Sequence, residues 1–217
     1  PGSSRWGYFP AFSVGWVASN ENFMKSIKSL DFLKFRASWG KSGALAGSAY
    51  QYLDGYTLYA NSYSFGPGNI VQGSYTNLEA NPKITWEVAT KTDIGFDADL
   101  WRGLLNITVD YFGETRPKMI LAPAVTVPVA YGMTLDQENA GILGNNGFEF
   151  TVGSHKRLSN GLQLGIDGNF SYAKNKLDQI FESPTTKNNP NRSRTGRSLN
   201  TQFGYHSLGL ITTADDK

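Results

Sequence analysis

Residues Ile84 to Leu100 read ITWEVATKTDIGFDADL. Ile84, Trp86, Val88, Ile94, Phe96, Ala98 and Leu100 share one parity, while Thr85, Glu87, Lys91, Asp93, Asp97 and Asp99 hold the other. Successive side chains of a strand point to opposite faces, so this stretch is a strand that is apolar on one side and charged on the other. Strands of globular proteins average about five or six residues, whereas a strand that crosses a membrane needs about 9 to 11. The alternation is long enough for the membrane.

The same test succeeds on both sides of this stretch. Leu33, Phe35, Ala37 and Trp39 oppose Lys34, Arg36 and Ser38; Leu105, Ile107, Val109 and Tyr111 oppose Asn106, Thr108 and Asp110. Phe148, Phe150 and Val152 oppose Glu149 and Thr151, and Leu162, Leu164, Ile166, Phe170 and Tyr172 oppose Gln163, Asp167, Asn169 and Ser171. An aromatic strand is expected around Tyr8 to Val17, interrupted by Pro10, which lacks a ladder donor. A seventh is expected from Phe203 through Leu210. Trp16, Trp39, Trp86 and Trp101 fall toward strand ends, where aromatic girdles of membrane barrels lie.

The links between strands alternate in length. Trp101–Gly103 and Arg157–Gly161 are tight turns and Ser19–Leu30 is a somewhat longer link on the same side, whereas Lys41–Lys83, Thr115–Asn146 and Asn175–Gln202 are long and rich in Gly, Pro, Asn and Ser. Outer-membrane barrels have short periplasmic turns and long extracellular loops. The expected fold is therefore all-β: an antiparallel up-and-down transmembrane β-barrel segment of six or seven strands.

Composition agrees. Among 217 residues there are 24 glycines, 11 tyrosines and 13 phenylalanines, and only 18% are charged. That balance favours strands and turns over helices. The absence of cysteine rules out disulfides and cysteine-based metal or redox sites. A net charge of +2 gives no reason to expect nucleic acid as a partner. The mean hydropathy of −0.35 would suit a soluble protein, but a barrel turns only alternate residues toward lipid, so the pattern outranks the average.

The motifs point to one family. KITWEVATKTDIGFDADLWRGLLNITVDYFGETRPKM, from Lys83 to Met119, resembles the barrel signature of the SusC/RagA family of TonB-dependent transporters: a TWE, a TDIGFDA strand, a short turn and a TVDYY-like strand. RWGYFPAFSVGWVASNENFMK, LKFRASWGKSG, NAGILGNNGFEFTVG, NFSYAKNKL and GYHSLGL resemble further blocks of that family in its order. One departure is the Thr115–Met119 stretch TRPKM, where the family more often has T-D-(M/L).

The resemblance implies that residues 1–217 are part of one barrel domain of about 22 strands, with the plug, the TonB-contacting segment and the last strands outside them. It implies import of a large nutrient, an oligosaccharide or peptide, across the outer membrane of a Bacteroidetes-type bacterium. A SusD-like surface lipoprotein would serve as lid and the TonB complex as energy source, with outer-membrane lipid around the wall. It implies a carrier, not an enzyme, and no cofactor. Two alternatives are a siderophore-type TonB-dependent receptor, which lacks such a lid, and a soluble carbohydrate-binding β-sandwich.

Other constellations carry less. Gly40-Lys41-Ser42 lacks the upstream glycine of a phosphate loop, since Phe35 stands there. Asp93, Asp97 and Asp99, with Asp110, read as lumen-facing polar residues rather than a catalytic or metal set. Arg192, Arg194 and Arg197 read as a solvated external loop, and neither His155 nor His206 has the context of a triad. Tyr50, Tyr52, Tyr56, Tyr59, Tyr63 and Phe65 crowd the longest external link. Tyrosine offers a flat apolar face and a hydroxyl, so Tyr52, Tyr56 and Tyr59 are the expected contacts for ligand or lid.

Overall fold

The computed structural model describes residues 5–45, 47, 49–64, 66–68, 70–123, 127–207 and 209. Among these residues eight strands form: β1 (Ala11–Val17), β2 (Leu30–Ala44), β3 (Gly55–Ser64), β4 (Ile70–Leu78), β5 (Glu87–Leu100), β6 (Leu105–Leu121), β7 (Glu138–Arg157) and β8 (Gln163–Gln179). Six of them make one antiparallel sheet in the order β1-β2-β5-β6-β7-β8. β3 and β4 make a separate two-stranded ribbon within the long β2–β5 link.

The parity read in the sequence is the parity of the sheet. Trp16, Phe35, Phe96, Val109, Phe150 and Phe170 align across all six strands. The next register row toward the long loops is Val14, Ala37, Ile94, Tyr111, Phe148 and Tyr172. Between these rows, on the opposite face, lie Gly15, Arg36, Gly95, Asp110, Glu149 and Ser171. The apolar rows are held by aromatic neighbours: Trp16–Phe35 at 5.9 Å, Phe35–Phe96 at 6.2 Å and Phe148–Phe170 at 5.7 Å. Among the described residues nothing covers them: Val14 and Ile94 are 68% and 56% exposed, and Ile166, of the same parity further along β8, is 77% exposed. A water-soluble sandwich would bury this parity in a second sheet. Here the sheet stays open and its apolar side faces outward.

The ladder sometimes begins or ends away from the boundaries the sequence suggests. β5 starts at Glu87, not Ile84; Trp86 lies just before it, edge-to-face with Phe9 at 5.6 Å. β1 starts after Pro10, whose carbonyl still accepts from Lys41 N at 2.9 Å. β6 and β7 run far past the apolar stretch, so the link between them shrinks to residues 122–137. No seventh strand forms over Phe203–Ser207, and Leu208 and Leu210 lie outside the described residues. The chain before it already occupies the outer edge of β8: Leu177 N donates to Arg197 O, Gly196 N to Leu177 O, and Leu199 N to Asn175 Oδ1.

Short turns collect at one end. Between β5 and β6, Trp101, Arg102 and Gly103 all take positive φ (54°, 61° and 76°). Left-handed backbone is unfavourable for the two larger residues. Asp31 offsets it by accepting from the N–H groups of Arg102 and Gly103, while Trp101 N donates to Ser29 O at 2.9 Å. Adjacent turns thus brace each other.

The face assignment predicts that, in the full-length protein, Phe96→Arg loses about 2 to 4 kcal/mol of membrane-inserted stability, whereas Asp97→Asn changes it by less than about 1 kcal/mol. Heat-modifiable gel mobility of the two variants checks this; equal folding yields would remove the face assignment.

Candidate functional site

The ribbon rises from the long-loop end of the sheet. β3 alternates Tyr56, Leu58 against Thr57, Tyr59, and β4 pairs with it from Gly55↔Leu78 to Ser64↔Ile70. Gly66 and Gly68, at φ 90° and 85°, supply left-handed backbone at the tip, where side chains are disfavoured. Tyr56 and Tyr59 differ in parity, with no register shift between them, so they occupy opposite faces of the ribbon. Tyr52 lies in the turn below, beside Tyr50 at 6.4 Å. The three tyrosines expected from the sequence thus share one element but no single plane. All are exposed, Tyr56 at 68%, Tyr59 at 52% and Tyr52 at 37%.

Tyr75, which the sequence reading passed over, is the partner that completes one face. It stacks on Tyr59 at 4.8 Å and 12°. A hydrogen bond with Tyr75 raises the Tyr59 phenol above its ordinary pKa. The β3–β4 register, with Thr57 opposite Tyr75 and Tyr59 opposite Gly73, brings these residues together, and local sequence carries no trace of it.

The ribbon is tied down by amide side chains. Gln51, 7% exposed, donates to Asp136 Oδ1 at 3.1 Å and Gln137 Oε1 at 3.3 Å, and its carbonyl accepts from Asn81 N at 2.9 Å. Asn81 Nδ2 reaches Gln137 O at 2.6 Å. Leu78 bridges Thr134 in parallel, with Thr134 N donating to Asn77 O and Glu79 N to Thr134 O. Tyr131 donates to Glu79 at 2.9 Å, a bond that raises the Tyr131 pKa. Asn139 bonds both N–H and C=O of Thr85. The β2–β5 and β6–β7 links therefore form one body above the sheet.

The polar face carries a connected set of charges. Arg36 makes a two-toothed contact with Asp97, at 2.8 and 3.2 Å, and its Nη2 reaches Asp110 at 2.9 Å. Asp110 is two strands away. The arginine passes over Gly95, the residue between them in register, where an added Cβ would stand 2.0 Å from Asp110 Oδ1 and 2.7 Å from Val109 O. Thr108 donates to Asp97 at 3.1 Å and Asn106 to Asp99 at 2.7 Å. Lys91 faces Glu114 at 3.8 Å, and Arg116 bridges Glu114 and Glu87. Among the described residues no acidic or histidine cluster is placed to hold a metal. His155 lies 3.3 Å from Asp167, and His206 sits outside any strand.

The link after β8 folds around Glu182. Desolvation pushes its pKa up, but donation from Arg194 N, the Thr195 hydroxyl at 2.7 Å and the Ser193 hydroxyl at 3.1 Å outweighs that and holds it below its ordinary value. The arginines expected in a solvated loop serve partly as internal braces: Arg194 and Arg197 donate to Leu199 O and Pro190 O, and Arg197 lies over Phe203 at 5.0 Å.

Comparison with known proteins places this geometry. The family model described as TonB dependent receptor-like, beta-barrel matches residues 1–213. The chain is 28% identical over 216 residues to TonB-dependent receptor P39 of Formosa agariphila, covering 97% of the chain and 20% of that protein. It is 28% identical over 181 residues to TonB-dependent receptor SusC of Bacteroides thetaiotaomicron, covering 82% of the chain and 18% of SusC. The chain thus spans about a fifth of the length of these relatives. In shape it matches the RagAB peptide transporter with a TM-score of 0.72 at 18% identity, over 91% of this chain and 21% of that one.

Two outcomes follow from these contacts. Gly95→Ala in the full-length protein forces Asp110 off Arg36 and lowers stability by about 1 to 3 kcal/mol, while Gly113→Ala, whose Cβ would meet nothing within 4 Å, stays within about 0.5 kcal/mol. The temperature at which heat-modifiable mobility is lost measures both. A carboxylate whose folded pKa is lowered stabilises its loop above the ordinary value of 4.5, and that contribution is lost as pH falls through the lowered value. Glu182→Gln therefore opens the loop to proteolysis after Arg192 or Arg194 at neutral pH, whereas in the wild type the protection of the Ser193–Thr195 amides, taken relative to their intrinsic exchange rate at each pH, falls only in acid.

Proposed function

The chain belongs to the TonB-dependent receptor-like β-barrel family, and from that premise we propose that the complete protein imports a nutrient too large for a porin, an oligosaccharide or peptide, across the outer membrane of a Bacteroidetes-type bacterium. The observation that carries the reading is the single sheet with two opposed faces. One is a continuous apolar belt with none of the described residues packed over it; the other is a charged wall knit by Arg36, Asp97 and Asp110. The belt meets lipid and the wall lines a wet lumen. The protein carries its ligand and performs no chemistry on it.

Residues 1–217 build part of the wall of one barrel domain, with the plug and the closing strands outside them. A SusD-like lipoprotein covers the vestibule, and the TonB complex acts through a segment outside these residues. The match to a transporter whose name gives peptide as its cargo, and to SusC, supports this pairing. The ribbon is the surface offered to ligand or lid, because it stands at the long-loop end, presents tyrosines on both faces and is held upright by the Gln51 and Asn81 bonds. Tyr52, Tyr56 and Tyr59 make those contacts, with Tyr75 supporting Tyr59.

Deletion of the gene abolishes growth on one class among a panel of glycans and peptides; a defect confined to iron limitation would instead identify a siderophore receptor. Joint replacement of Tyr52, Tyr56 and Tyr59 by alanine lowers uptake with surface expression intact, since truncated aromatic contacts commonly cost over about 1 kcal/mol each. Normal uptake by a correctly inserted triple variant would reduce the ribbon to scaffold.

A further inference from the structure

The link that follows β8 carries a charge that the fold leaves uncompensated. Between Ile180 and Gln202 stand Lys187, Arg192, Arg194 and Arg197 against one carboxylate, Glu182, whereas outside this link acids and bases are nearly even. Glu182 is half-buried, and its bonds come from neutral donors: the Arg194 N–H and the Ser193 and Thr195 hydroxyls. All four cations are exposed, and none has a carboxylate partner among the described residues.

The link is a knot rather than a tether. A helical turn at Pro184–Lys187 is capped by Ser183, whose hydroxyl accepts from Thr186 N at 3.3 Å. Arg197 N donates to Arg194 O at 3.0 Å and Arg192 N to Asn189 O at 3.0 Å, while the Arg194 and Arg197 guanidiniums reach Leu199 O and Pro190 O through Nη2. A carbonyl brings no opposite charge, and one bond leaves most of a five-donor fork open to a ligand. The Arg192 guanidinium has no such bond among the described residues.

The knot sits on the lumen side of the mouth. β8 keeps one register with β7 from Gln163 to Leu177, so Asn175 and Leu177 share the polar-face parity of Asn169 and Ser171. They are the two shielded residues of β8, Leu177 at 1% exposure, while Lys174, Lys176 and Asp178 of the other parity stay open. The knot is bonded at this spot: Leu199 N donates to Asn175 Oδ1, Ser198 Oγ to Asn175 O, and Gly196 and Arg197 bond the Leu177 backbone. A cationic body thus overhangs the polar face of the wall at its long-loop end.

We propose that this knot selects cargo by charge, seating the carboxylates or sulfates of an acidic oligosaccharide on the Arg192 guanidinium and on the open edges of Arg194 and Arg197. Arginine forks meet such oxygens with paired, charge-assisted hydrogen bonds. Asn188 and Asn191, exposed next to them in the chain, offer amides, which both donate and accept as sugar hydroxyls require. An extended acidic peptide fits less well. It binds by adding to a strand edge, and Gly196 to Leu199 already hold the β8 edge at this level.

The inference rests on the import reading above and adds a charge class to its cargo. Purified full-length protein is titrated by calorimetry with hexagalacturonate, its neutral methyl ester, sulfated maltohexaose, neutral maltohexaose and hexaglutamate. At least one acidic sugar binds about tenfold tighter than its neutral counterpart and tighter than hexaglutamate, and Arg192→Gln removes most of that preference. Lys118→Gln, a cation of β6 at the same end of the wall, changes it less than about twofold. Glu182→Gln separates a built site from bulk attraction: it makes the link more cationic yet releases the knot, so affinity falls where charge alone would raise it. Equal binding, or none, of acidic and neutral sugars, tighter binding of hexaglutamate, an unchanged preference in Arg192→Gln, or a gain in Glu182→Gln overturns the proposal with the import reading intact. A deletion strain whose defect is confined to iron limitation overturns the import reading, and the proposal with it.

Discussion

A polypeptide in hydrocarbon must satisfy every backbone N–H and C=O from within, because no water is present to do it. The six-strand ladder from β1 to β8 is the consequence. Each inner strand is paired on both sides along the whole apolar stretch, and the ladder breaks register mainly outside it, near Leu30/Phe32, Arg116/Met119 and Ile142/Leu143. Once the ladder is fixed, side chains have only two directions. Phe96 and Asp97 are neighbours in sequence and belong to different solvents.

That constraint also explains what the sequence reveals and where it stops. Between Leu33 and Trp39, or Ile94 and Leu100, the two solvents differ, so parity alone gives strand, face and register. Above the belt both faces meet water, and residues such as Glu114 to Leu121 and Glu138 to Gly147 lose their alternation although the ladder continues. Hydrophobic periodicity reports the boundary of the lipid, not the end of the strand. The link between β6 and β7 is therefore shorter than the alternation suggests, and the ribbon shows in the sequence only as a crowd of tyrosines. The stretch from Phe203 failed for another reason: its residues have strand composition, but Gly196 to Leu199 already take the edge it would need.

Contacts that bridge distant positions were illegible for a similar reason. Arg36, Gly95 and Asp110 are unremarkable one by one, and only the register lines them up. The glycine matters through what it lacks: a missing Cβ lets one guanidinium stitch three strands together on the wet face. Tyr59 with Tyr75, and Gln51 with Asp136, depend in the same way on chain crossings that no local pattern encodes.

The bond from Asn81 N to Gln51 O has a kinetic meaning as well. β1–β2, β5–β6 and β7–β8 are hairpins closed by short turns, so they form from contacts close in sequence. Joining β2 to β5 requires closing a far longer loop, which is where chain entropy resists most. The ribbon removes much of that resistance: β3 and β4 zip locally, and the Asn81–Gln51 bond then draws the two ends together. The effective loop shortens about threefold, worth roughly 1 kcal/mol of closure entropy. A segment displayed outside the membrane thus doubles as the local fold that lets two halves of the wall find each other.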